Sequence, residues 1–212
     1  MTIQLKVPYL TYKQIGNVAH KLLCKLNCES NIPIPIEEII ELHYGVDIVP
    51  IPELLNAFEI DGWTSSDLKT IYVDEFIYEH RENRYRFTLA HELGHVVFHK
   101  RIFENYSFTK IEEWKSFYNE VDEKSYSWLE SQAYNFAGLI LVPPIHLKKI
   151  FEELIIKHKS SFKSIEYKRI SKDKYQDYFL DVASIYLSET FNVSTEVISR
   201  RIEKDNLIML IP

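Results

Sequence analysis

His91 and His95 stand four residues apart in the stretch TLAHELGHVVFH, residues 88–99, with Glu92 directly after the first of them. On a helix this spacing puts both imidazoles on one face, so both can reach one ion at the usual zinc–nitrogen separation of about 2.0–2.1 Å. Glu92 is rotated by roughly 100° from His91 and lies beside such an ion rather than on it. A carboxylate in that place is useful as a general base. Zinc lowers the pKa of its water from about 15.7 to about 7 and polarises a carbonyl, while the carboxylate takes the proton and hands it to the leaving amine. H-E-x-x-H is the spacing of zinc peptidases, but the pentapeptide arises by chance in a chain of this composition on the order of a few percent of the time. A third ligand decides its weight.

His99 is a poor third ligand while the helix continues, because eight residues separate it from His91, about 12 Å along the axis. It is expected to pack or to stand behind the ligands. A carboxylate from another helix suits better. Glu130 begins the turn that leads to Ala133 and Ala137, whose small side chains allow close helix approach. Gly94 fits the same tight contact, since glycine inside a helix otherwise costs about 1 kcal/mol. Glu120, Asp122 and Glu123 are rival ligands in a charged stretch without clear periodicity. Two histidines and one carboxylate leave a coordination position for water, the catalytic rather than the closed structural arrangement.

These residues need elements to carry them. Apolar positions at helical spacing predict a helix over 11–27, a second one between Pro35 and Gly45, and a third over 126–141 that stops at Pro143 and Pro144. VDIVPI, residues 46–51, reads as a strand near an edge because of Pro50. FEIDGWTS and KTIYVDE read as a hairpin, which together with 46–51 predicts a small antiparallel, three-stranded sheet. The period returns to helical from about Tyr85. Residues 100–125 read mostly as loop, 145–158 as helix, and the last segment as helix, short turn, helix. The domains expected are 1–160, a polar linker at 161–174, and a C-terminal helical segment at 175–212.

Composition narrows the class. Over 212 residues, 46% apolar and 14% aromatic content is globular, and a net charge of −6 argues against a surface built to hold nucleic acid. Cys24 and Cys28 cannot form a disulfide framework, and free thiols in a reducing compartment are expected. The N-terminus lacks the features of a secretory signal, and FAGLILVPP is far short of a membrane span. A cytoplasmic protein without membrane association is expected.

RYRFTLAHELGHVVFH at 84–99 and ESQAYNFAGLILVP at 130–143, backed by the TIYVDE strand, resemble the ImmA/IrrE family of metallopeptidases. The likeness covers most of 8–144 and continues more loosely into LSETFNVSTEVISRRI. It implies an α+β fold with a zincin-like core, His91, His95 and Glu130 as ligands to Zn2+, and Glu92 as catalytic base; Mn2+ or Fe2+ would also suit the ligand set. In one departure from the family pattern, Tyr134 separates Ala133 from Asn135, which the family has side by side. Members typically cleave helix-turn-helix repressors of mobile elements or stress responses, so a repressor is the substrate and partner implied. The rival readings are a metal-stabilised protein that binds a repressor without cutting it, and a DNA-binding regulator. The latter would use Ser194 as helix cap and Arg200, Arg201 and Lys204 as the basic face of a helix-turn-helix-like end. Interspersed acidic residues there favour packing or repressor docking over DNA binding.

Overall fold

The computed structural model describes residues 3–158 and 171–211. The chain divides into two compact units, Met1–Leu141 and Val142–Pro212. The architecture is mixed α and β, mostly helical, with one small sheet.

In the first unit, helix α1 (Tyr12–Lys25) is closed at its start by a capping box in which Thr11 accepts from the Gln14 amide and Gln14 accepts from Thr11. A short helix α2 (Ile36–Glu38) runs on as a π-helical turn to Tyr44. Gly45 then ends it in the left-handed conformation at φ 62°, which glycine adopts without strain. Strands β1 (Asp47–Ile51), β2 (Gly62–Thr64) and β3 (Thr70–Asp74) follow, with α3 (Leu54–Phe58) between the first two. Their order is β1-β3-β2, so Pro50 does sit on an edge strand.

The sheet is not antiparallel throughout. β2 and β3 form the expected antiparallel hairpin, but β1 runs parallel to β3, with Asp47 opposite Thr70 and Ile51 opposite Asp74. The cause is connectivity: α3 and β2 lie between β1 and β3, and so long a connection permits a parallel crossover.

Asp74 ends β3 and starts α4 (Glu75–His80), accepting from the Ile77 amide at 3.1 Å and from Leu55 in α3 at 2.8 Å. Helix α5 (Glu82–Phe98) carries the H-E-x-x-H residues. It packs along α8 (Glu123–Leu141), which α1 flanks. Phe87, His91, Gly94 and Phe98 line the side of α5 that meets Tyr134, Glu130, Ala133 and Phe136 of α8, and Leu89, Ala90, Leu93, Leu129 and Ala137 are buried as well. Each fully buried large side chain contributes about 1.5–3 kcal/mol. A Cβ on Gly94 would lie 2.9 Å from the Ala133 Cα, so only glycine lets the helices come this close.

Residues 100–125 are mostly helical rather than mostly loop, with a non-helical stretch at 104–110. They form α6 (Lys100–Phe103), α7 (Ile111–Glu120) and the first turn of α8. Charged residues mask a helical repeat of Trp114, Phe117, Tyr118 and Val121, which seats α7 on an aromatic cluster with Phe103 and Phe108. Ahead of α1, an extended arm pairs Ile3 with Val121 and Leu5 with Ser125.

In the second unit, α9 (Pro144–Lys157), α10 (Lys172–Phe191) and α11 (Thr195–Lys204) surround Phe151, Phe179 and Leu187. Tyr175, Phe179, Ala183, Leu187 and Phe191 form a four-residue repeat along the buried side of α10. Ser194 caps α11, accepting from Val197 at 3.3 Å. Most of the expected linker at 161–174 lies outside the described residues, and its last residues, 172–174, open α10. No helix among the described residues is long and apolar enough to cross a membrane.

Candidate metal centre

Helix α5 is buried on most of its circumference, yet Glu92 and His95 on it are only 6% and 2% exposed. Polar groups so placed need partners. They find them on strand β2, on α8 and along α5 itself, and the partners decide what the site can do.

The His91 and His95 Nε2 atoms lie 3.1 Å apart. Glu130, on α8, brings one carboxylate oxygen to 3.2 Å from His91 Nε2 and the other to 3.6 Å from His95 Nε2. Four ligands at about 2.0–2.1 Å in a tetrahedron would be roughly 3.3 Å apart. The two nitrogens and the Glu130 carboxylate lie at about that spacing, so the residues fit a small divalent ion of the kind nitrogen and oxygen donors hold. His91, His95 and Glu130 are grouped in this way, whereas Glu120, Asp122 and Glu123 do not join them. Asp122 is turned instead to the Ser125 amide at the start of α8, at 3.1 Å.

Glu92 stands beside this cluster. Thr64, at the end of β2, donates to its Oε2 at 2.7 Å, which leaves the second oxygen for the cavity. Burial pushes the Glu92 pKa up to about 7, against the pull of His91 and the Thr64 hydrogen bond. For His91, burial opposes protonation, but the hydrogen bond and charge of Glu130 outweigh it and hold the pKa above the ordinary value. His95 is driven well down by burial and by its histidine neighbours.

The donors open on a cavity of about 280 Å³ walled by Asp61, Phe87, Trp114, Tyr118 and Tyr126. Burial, together with the Glu130 and Glu92 carboxylates, raises the Tyr118 pKa well above the ordinary value, so its phenol stays protonated. Arg84 holds Asp61 at the rim through two 2.6 Å hydrogen bonds.

His99 caps α5 and is fully buried behind His95, outside the donor cluster. Burial brings its pKa down to about 4 despite the Gln132 hydrogen bond. Sequence reasoning did not reach Thr64, Tyr118 or Gln132. Thr64 had no signal, since a hydroxyl one strand away has no spacing to α5. The repeat of Trp114, Phe117 and Tyr118 was the signal for α7.

Two histidines one turn apart, a carboxylate from a second helix and a further carboxylate held by the sheet make the type of site a metallopeptidase has. A family model described as Peptidase_M78, IrrE N-terminal-like domain, matches residues 44–203, and the chain belongs to that family. No curated protein matches it at a significant level.

Proposed function

We propose that the protein is a zinc-dependent endopeptidase with a zincin-like core that cuts one or a few specific proteins, a helix-turn-helix transcriptional repressor of a mobile element or stress response being the substrate. The observation that carries this reading is the gathering of the His91 and His95 Nε2 atoms, 3.1 Å apart, with the Glu130 carboxylate, one of whose oxygens lies 3.2 Å from His91 and the other 3.6 Å from His95, beside a Glu92 oxygen that Thr64 leaves unbound. His91, His95 and Glu130 hold the ion, for which the donor set suits Zn2+, with Mn2+ and Fe2+ as substitutes. When bound, the ion acidifies a water and polarises the scissile carbonyl. Glu92 takes the proton through the oxygen that Thr64 leaves unbound and returns it to the leaving amine. Burial raises the proton affinity of the Glu92 carboxylate, which favours its taking the proton. The aromatic walls exclude water and receive the substrate chain.

The cytoplasm suits such an enzyme, since a repressor is met there and Cys24 and Cys28 are free thiols. The C-terminal helices are better suited to packing or substrate docking than to reading DNA. Of their basic residues, Arg201 is buried at 3% exposure and Arg200 is paired with Glu196 at 2.7 Å.

The test is a comparison of cellular proteomes containing wild-type protein or Glu92→Gln, with zinc content measured on both. The variant should bind one zinc and lose turnover by about 10²–10⁴-fold, so that a cut fragment accumulates only with the wild type. Equal fragment levels would sink the assignment of Glu92 as base. Repressor activity relieved equally by both proteins, without a fragment, would favour the sequestering reading.

A further inference from the structure

Behind the donor cluster, a chain of buried polar groups runs away from the cavity. His95 Nδ1 lies 3.0 Å from His99 Nδ1, and His99 Nε2 lies 3.2 Å from Gln132 Oε1. Gln132 Nε2 then donates to the Pro8 carbonyl at 2.6 Å. His95, His99 and Gln132 are 2%, 0% and 2% exposed, so water does not compete for these bonds.

The direction of every bond follows from the far end. The Pro8 carbonyl can only accept, so the Gln132 amide turns its NH2 to Pro8 and its oxygen to His99. That oxygen also only accepts, so a neutral His99 carries its hydrogen on Nε2 and has a bare Nδ1. A bare Nδ1 requires a donor, and the atom facing it is His95 Nδ1. His95 therefore bears its hydrogen there, and its Nε2 keeps a lone pair aimed at the point shared with His91 and Glu130. The other tautomer of His95 would oppose two bare nitrogens at 3.0 Å and place a hydrogen on the atom that has to bind.

We infer that the Pro8 carbonyl, Gln132 and His99 form a one-way hydrogen-bond relay that fixes the tautomer of His95 and makes its Nε2 a preformed metal donor. The inference rests on the metal reading above. Gln132 and His99 are positioning residues, acting only through His95, as hydrogen-bond partners of ligating histidines do. Pro8 lies outside the matched region 44–203, so the relay ties the N-terminal arm to the site. The arm is pinned at Ile3 and Leu5 as well, which fixes the carbonyl in place.

The experiment uses the full chain: zinc affinity by competition with a chromophoric chelator, and long-range 1H–15N spectra of the imidazoles in the metal-free protein. His95 should show its hydrogen on Nδ1 and His99 on Nε2. His99→Leu should weaken zinc binding by about 10–100-fold. His99→Asn, whose Oδ1 accepts where Nδ1 did, should recover most of that loss, and Gln132→Met should fall between. A packing role alone predicts the reverse order, with Leu tolerated and Asn worst. Wild-type affinity in His99→Leu, or a hydrogen on His95 Nε2 in the wild-type spectra, would overturn the relay. Should His99→Leu not fold, the wild-type spectra and the Asn affinity decide. Failure of the wild type to bind zinc is a separate result, which removes the metal reading and the relay with it.

Discussion

Helices α5 and α11 both bury groups that water would otherwise solvate, and they treat them in opposite ways. On α11, Arg201 donates to the Val142 carbonyl at 2.9 Å and to the Asp205 carboxylate at 2.5 Å, so the cation is answered within its own unit. On α5, Thr64 and His99 hold the backs of Glu92 and His95, while His95 Nε2 converges with His91 and Glu130 on one point and Glu92 stands beside it. Burial of a charge therefore does not mark a functional site. Convergent lone pairs facing a cavity do, because a single cation there would answer all of them at once.

The sharpest way to break this contrast is to open the closed side. Arg201→Met should destabilise the protein by about 3–5 kcal/mol in urea denaturation, since removing one member of a buried pair strands the other. Adding Asp205→Leu should restore part of the loss, because the stranded charge and not the missing attraction dominates. The zinc content of the folded fraction should stay as in the wild type. A destabilisation below about 1 kcal/mol would place Arg201 with the weak surface pairs.

A smaller effect is expected where the open side depends on helix approach. Gly94→Ala gains about 1 kcal/mol of helix propensity. Its new Cβ, however, would lie 2.9 Å from the Ala133 Cα and 3.3 Å from both the Ala133 Cβ and carbonyl oxygen. Backbone does not yield as a flexible side chain does, and overpacking costs about 1–3 kcal/mol. The balance should be a lower melting temperature and weaker zinc binding, because α5 carries His91 and His95 away from Glu130. A raised melting temperature would show that the seam has slack.

How far sequence reached follows from the same geometry. His91, Glu92 and His95 share one helix, so their spacing alone shows how they are disposed. Glu130 required further clues, which the small residues Gly94, Ala133 and Ala137 and the family resemblance supplied, since small residues on two helices announce a close crossing; the structure sets Gly94 against Ala133. Most of the longer helices and the hairpin were legible from periodicity and from proline and glycine stops, whereas the short α3, α4 and α6 were not. The parallel pairing of β1 was not, because strand direction depends on a crossover that no local pattern records. Helix α7 was hidden by Glu112, Glu113 and Lys115, which face outward between the aromatic positions. The bonds from Thr64 to Glu92 and from Pro8 to Gln132 span 28 and 124 residues, and single polar residues at such separations carry no readable spacing.

Thr64 gives the finest test of the contrast, because it is bonded to Glu92, the proposed base, and not to His91, His95 or Glu130. Thr64→Val keeps the shape of the side chain and removes the 2.7 Å hydrogen bond that fixes Glu92 Oε2. Zinc affinity should be unchanged, since His91, His95 and Glu130 keep their places. Fragment formation by the zinc-loaded protein should slow by about tenfold, the equivalent of roughly 1.5 kcal/mol for a hydrogen bond to a charged group. That is less than the loss expected for Glu92→Gln, because the carboxylate remains and only its orientation is freed. A rate equal to wild type would mean that packing against α5 alone aims Glu92, and that the sheet contributes shape rather than a bond. Weaker zinc binding would mean instead that base and ligands move together, so that the polar groups behind the cavity act as one unit.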